Sequence, residues 1–216
     1  MRKDRPPMTT EALFWDRIAD KYSRQKIGNP TAYEQTLEAV RAYLSPQDHV
    51  LEHGCGTGST ALILAGDVAR ITAADFAPRM VEIAEAKRRD GNVDNVEFLT
   101  AGIDDSRLMW VEHDVVLGFN LLHLVPDLDA ALAAMFSQVK PGGYVITKSG
   151  CVKDMNPLLR WAIKAMQLIG RAPFVQYFTG EELESAMRWA GFEIVSSREF
   201  DRAKHIRFVV ARRPKA

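Results

Sequence analysis

The strongest constraint on this chain is an alternation running through its middle. Strand-length apolar runs at 49–53, 69–74, 96–100, 114–119 and 143–149 are interleaved with helix-period segments at 58–65, 78–90 and 127–139. Parallel strands need a crossover, and crossover helices pack back onto the sheet, so this rhythm predicts a mostly parallel sheet covered on both faces. Two helical patterns come first. One spans 11–24 with Leu13, Phe14, Ile18 and Tyr22, the other 31–44 with Tyr33, Leu37, Val40 and Leu44, and Gly28-Asn29-Pro30 parts them. Near the far end Thr179 and Glu182 have the spacing of a capping box, and strands at 192–200 and 204–210 are close enough to pair as an antiparallel hairpin. The expectation is one α/β domain over 1–216 with a doubly wound, mostly parallel seven-stranded sheet. Residues 1–46 form an N-terminal helical cap, and 150–178 a lid-like insertion.

Composition removes several function classes. Lysine and arginine together number 28 and so do the acids, so no overall field draws the chain to nucleic acid. The polar start MRKDRPPMTT has no apolar leader and no run reaches membrane-spanning length, which places the chain in the cytoplasm. Cys55 and Cys151 are too few for a disulfide framework or a thiolate zinc site, so metal dependence is not indicated.

The stretch VLEHGCGTGST, residues 50–60, sits between the first strand and its helix, at the sheet edge where open α/β folds bind nucleotide-like ligands. Gly54, Gly56 and Gly58 follow G-x-G-x-G, and Ser59 stands where a dinucleotide fingerprint has its third glycine. Glu52 would repel a pyrophosphate but suits a cation. The stretch resembles the first motif of class I S-adenosylmethionine-dependent methyltransferases, whose fold is Rossmann-like, and the likeness spans nearly the whole chain. It implies that Gly54, Cys55, Gly56, Thr57 and Gly58 approach the methionyl part of S-adenosylmethionine, with Glu52 toward its amino group. The product would be S-adenosylhomocysteine. A purely conformational role for the glycines is the competing reading.

Further features follow in family order. Asp75 in ITAADFAPRM, 21 residues after Gly54, is placed to accept both ribose hydroxyls; Phe76 resembles the residue lying against adenine, and Met80 is either its neighbour or core. In VEFLTAGIDD, Gly102 occupies the place where relatives often carry an acid. The Ile103 backbone can still meet adenine, and Asp104 either replaces that acid or caps the next turn. In DVVLGFNLLHLVPD, Phe119 and Asn120 leave strand four where cofactor and acceptor should meet, and His123 is the candidate general base. Pro141, Gly142 and Gly143 are expected to make a reverse turn into strand five.

The resemblance implies methyl transfer by in-line displacement to a small-molecule or lipid-like acceptor, for which a base is optional. A cofactor-binding protein without turnover, or a nicotinamide oxidoreductase, are the alternatives. The Asn-Pro-Pro-Tyr type motif of nucleic-acid and glutamine methylation is absent, FNLLHL standing in its place. Residues 155–171 are amphipathic: Leu158, Trp161, Ala162, Ala165, Met166 and Ile169 oppose Arg160, Lys164, Gln167 and Arg171. This segment is a lid over the acceptor together with Trp15, Tyr22 and Tyr33, or a helix packed on the core, or a face meeting a membrane peripherally.

Overall fold

The computed structural model describes residues 9–109, 111–201 and 205–215; positions 1–8 of the expected cap, and position 204 of the expected last strand, lie outside them. The seven strands are β1 (His49–His53), β2 (Arg70–Asp75), β3 (Val96–Thr100), β4 (His113–Phe119), β5 (Val139–Gly150), β6 (Glu193–Asp201) and β7 (Ile206–Arg212). They form one sheet in the order β3-β2-β1-β4-β5-β7-β6. β1, β2, β3, β4 and β5 pair in parallel, whereas β7 runs antiparallel to both β5 and β6. The order reverses between β1 and β4, and both carboxyl ends open into the same crevice.

Among the described residues eight α-helices surround this sheet: α1 (Thr10–Ser23), α2 (Pro30–Arg41), α3 (Ser59–Leu64), α4 (Pro78–Asp90), α5 (Ser106–Met109), α6 (Leu128–Gln138), α7 (Pro157–Leu168) and α8 (Gly180–Trp189). Central strands are apolar at consecutive positions because both of their faces are covered. Val50 packs with Leu37, Val40, Ala61 and Leu64 on one face, and the adjacent Leu51 packs with Leu132, Met135, Leu183 and Met187 on the other. The capping box at Thr179 and Glu182 forms as expected. α1 lies on α4, pinned where Arg79 Nη2 meets Asp20 Oδ1 at 2.8 Å and Arg79 N–H donates to Asp16 Oδ1 at 2.6 Å.

Two expectations change. Strand five begins at Val139, not 143. Pro141, Gly142 and Gly143 are a bulge within it, where register moves from His113 opposite Val139 to Val115 opposite Tyr144, and Gly142 N–H donates to Arg213 O at 2.8 Å. The amphipathic segment is indeed a helix, α7, but none of its residues is buried. Its half-buried positions include Arg160, Ile163 and Gln167, while Leu158, Trp161, Leu168 and Ile169 are exposed. The apolar side expected to cover the site or the core therefore faces outward.

Gly58 holds three layers together. Its φ is +75°, and an added Cβ would stand 2.5 Å from Phe98 Cζ and 2.8 Å from Ala84 Cβ. Gly58→Ala is expected to destabilise the fold by about 2–5 kcal/mol, combining left-handed strain of about 1–2 with overpacking of about 1–3. Urea unfolding measures this; a midpoint matching the parent would show that α4 and β3 do not press on this turn.

Candidate active site

The glycine loop leaves β1 under a set of interlocking contacts. Gly58 N–H bonds back to Cys55 O at 3.0 Å, and Cys55 N–H donates to Ala74 O at 3.0 Å. Gly54 lies under Leu121, whose Cδ1 would be 2.9 Å from a Cβ there, so a side chain at 54 or 58 would meet close neighbours. Above Gly56 there is room: an added Cβ would meet only Tyr22 Cε1, at 3.8 Å. Of the alternating glycines, Gly56 is the one whose Cβ position has no neighbour closer than 3.8 Å. Thr57 is buried and its hydroxyl accepts from Lys87 Nζ at 2.9 Å, with Ser59 Oγ at 3.3 Å from the same ammonium. Sequence reading missed Lys87, since nothing in its local context marks a lysine reaching 30 residues back.

Two carboxylates face this loop. Asp75, at the end of β2, accepts Gly56 N–H on Oδ2 and Ala77 N–H on Oδ1, both at 2.9 Å. Each oxygen retains lone-pair capacity, since an ionised carboxylate offers about four acceptor sites. Glu52 is 3% exposed, and its Oε2 has no hydrogen-bond partner. Burial, reinforced by the negative Asp75, pushes its carboxyl up to about 8. A buried polar atom left unpaired costs free energy, which a cationic partner would recover.

Other expected residues separate into groups. Phe76 is half-buried beside Asp75, whereas Met80 is core, packed with Ala19, Ala77 and Trp15 between α1 and α4. Trp15 meets Tyr22 edge-on at 6.2 Å, and Tyr33 OH lies 3.2 Å from Thr60 Oγ1, so both early helices touch the loop region. Gly102 and Ile103 follow β3, where Ile103 O accepts from Gln138 Nε2 at 3.0 Å. Asp104 is exposed, its Oδ1 3.0 Å from where a Gly102 Cβ would stand. The turn is capped instead by Asp105, which accepts Arg107 N–H at 2.9 Å.

Phe119 and Asn120 end β4, and Asn120 takes a φ of +52° with its N–H bonded to Lys148 O at 2.6 Å. Beyond them is a cavity of about 380 Å³ lined by Asn120, His123, Asn156, Met155, Leu159 and Ile206. His123 Nδ1 accepts Gly150 N–H at 3.3 Å, and burial pushes its imidazole down to about 4. The neutral ring then carries its proton on Nε2 and offers a donor; the lone pair that a general base would use is occupied. A larger open groove of about 960 Å³ is bordered by Asp129, Glu182 and Trp189; neither it nor the smaller cavity is lined by glycine-loop residues, but the smaller one begins at Asn120, at the end of β4. Among the described residues no group of three or more His, Cys, Asp or Glu is placed to hold a metal, and no helix is long and apolar enough to cross a membrane.

The buried groups set a pH profile. His53, bonded to Gln138 Oε1 at 2.8 Å, is pushed down to about 4 by burial, as His123 is. Both stay neutral in the fold, so stability is lost as pH falls from about 6.5 toward 4. Glu52 has the opposite sign: its raised carboxyl stabilises fully below the ordinary value near 4.5, and this contribution declines up to about pH 8. Between pH 6.5 and 8 stability is expected to fall by on the order of 1–2 kcal/mol. Glu52→Gln should flatten that limb in paired urea titrations; a variant that keeps the decline would show that another group titrates there.

The family described as methyltransferase domain matches residues 24–197. A demethylmenaquinone methyltransferase of Leptospira interrogans is 31% identical over 160 residues, covering 68% of this chain and 62% of that protein. The chain thus spans under two thirds of that relative, and only 6–8% of the long reducing polyketide synthases it also matches. Among solved structures, the [4+2]-cyclase SpnF superposes with a TM-score of 0.79 at 17% identity over all of both chains. The DhpI–SAH complex gives 0.72 at 24% identity, covering 96% of this chain and 97% of that one. These two likenesses bear on the fold, and the family match reaches from α2 through α8, across the loop and both carboxylates: the chain belongs to the S-adenosylmethionine-dependent methyltransferases of the class I, Rossmann-like fold.

Proposed function

We propose that this protein binds S-adenosylmethionine at the glycine loop and methylates a small, largely apolar acceptor in the cavity beside Asn120. The carrying observation is the buried, unpartnered Glu52 Oε2 below a loop whose middle glycine has no close neighbour at its Cβ position. Bound there, the cofactor supplies a methyl group on a sulfonium with a neutral thioether as leaving group. The chain's own residues bind and orient. Glu52 receives the ammonium, Asp75 the ribose hydroxyls through its remaining lone pairs, and Gly56 admits the ligand against its backbone. Phe76 stacks on the adenine, while Gly102, Ile103 and Asp104 border its edge. Cys55 and Thr57 shape the loop from below.

Positioning is the main catalytic task in such a displacement. The acceptor cavity suits a ring-bearing molecule with an oxygen handle: Met155, Leu159 and Ile206 supply apolar wall, and Asn120, Asn156 and His123 supply polar contacts. We place His123 as a donor to an acceptor oxygen rather than as a base. The Leptospira relative is a demethylmenaquinone methyltransferase, which supports a quinone-related acceptor here.

Isothermal titration with S-adenosylhomocysteine, followed by an acceptor screen of quinols, phenols and amines, tests this reading. Binding without methylated product from any class would shift it to a cofactor-binding protein. Asp75→Ala is expected to lose roughly 1–3 kcal/mol of affinity, or about 5- to 150-fold, because charge-assisted hydrogen bonds disappear. Equal affinity would remove Asp75 from the site. Because free Glu52 is protonated up to about pH 8, ligand binding should also release a proton. Affinity would then drop by up to about tenfold per pH unit below 8, and Glu52→Gln would abolish the dependence. Heats that do not change with buffer ionisation enthalpy would contradict it.

A further inference from the structure

α7 is turned inside out relative to an ordinary surface helix. Leu158 is 78% exposed, Trp161 73%, Leu168 89% and Ile169 63%, all on one side by helical spacing. The opposite side, which a globular protein would keep wet, faces the body of the molecule. There Arg160 Nη1 donates to Lys153 O at 3.2 Å and Gln167 Nε2 to Pro173 O at 2.8 Å. Removing those outward side chains from water is favourable in proportion to the apolar area covered, so a helix left this way has an apolar partner missing.

Charge identifies that partner. Residues 155–180 contain Arg160, Lys164 and Arg171 and no carboxylate, in a chain whose formal net charge is zero. Lys164 Nζ lies over the Trp161 ring at 5.9 Å and the Tyr177 ring at 5.4 Å, an amphipathic grouping of the kind found at membrane interfaces. We infer that α7 and the turn after it dock on an anionic lipid bilayer, with Leu158, Trp161, Leu168 and Ile169 entering the headgroup boundary. Lys164 and Arg171 meet lipid phosphates.

The consequence for the site rests on the function proposed above. Met155, Asn156 and Leu159 line the acceptor cavity and belong to the start of the same helix or lead into it. A bilayer seated on α7 would therefore bring dissolved apolar acceptors to the cavity mouth.

Vesicle sedimentation of the full chain provides the test, using phosphatidylcholine alone and phosphatidylcholine mixed with phosphatidylglycerol, at low and high salt. The parent is expected to sediment with the anionic vesicles, less so at high salt, and weakly or not at all with the zwitterionic ones. Leu168→Glu with Ile169→Glu changes exposed side chains only and should lower vesicle affinity by about tenfold or more, as should Lys164→Gln with Arg171→Gln. Failure of the parent to bind anionic vesicles overturns the inference. So does a parent that is dimeric without lipid and made monomeric by Leu168→Glu with Ile169→Glu, since the face would then belong to a second copy. A titration with S-adenosylhomocysteine on the same preparations separates the two proposals. Cofactor binding without vesicle binding sinks the docking alone; vesicle binding without cofactor binding upholds the docking and sinks the reading of the loop.

Discussion

One carboxylate organises the crevice. Asp75 receives the N–H of Gly56 from the loop after β1 and the N–H of Ala77 at the entry to α4, so it ties the ends of two neighbouring strands through a single side chain. The loop's tight, glycine-rich course is held at its middle because the Gly56 N–H finds this acceptor. Glu52, one layer deeper, is less well served: the Ala61 backbone bonds its carboxyl group, but Oε2 has no partner, and packing removes it from water while Asp75 keeps negative charge close by. The pair divides the work, one member shaping the loop and the other held in an unfavourable state that a cation relieves. That arrangement sacrifices stability at a functional site, where such sacrifices concentrate.

Much of this was legible in the residues. Strand and helix periods gave the element order, because central strands buried on both faces read as continuous apolar runs and the crossover helices between them are long. Asp75 and Glu52 were legible because their positions follow from where strands end. What could not be read depends on contacts across the sequence. That Leu121 stands over Gly54, and Phe98 and Ala84 over Gly58, cannot be read from the glycines themselves. Asp104 and Asp105 are neighbours of equal capping propensity, and only the chain path selects Asp105. His123 reads as a base from its residue type, and the bond that its Nδ1 accepts from Gly150, 27 residues away, is visible only in the fold.

The helical period of α7 was equally plain, yet it predicts only that two faces differ, not which one turns inward. Tertiary context made that choice. The segment's polar atoms are spent on short-range bonds to the turns that flank it, which leaves the apolar side to solvent. An amphipathic pattern is thus evidence of an interface whose other half lies either inside or outside the molecule.

The contact between Leu121 and Gly54 has a further implication. The first belongs to the segment leading from β4 to the cavity beside Asn120, the second to the glycine loop, and Leu121 Cδ1 occupies the space that a side chain at 54 would enter. The two positions are therefore not free to drift separately over evolutionary time. A side chain at 54 would require Leu121 to shift, and that shift would alter the floor of one half of the crevice together with the wall of the other. Divergence in acceptor preference that passes through position 121 is thus constrained by a glycine on the opposite side.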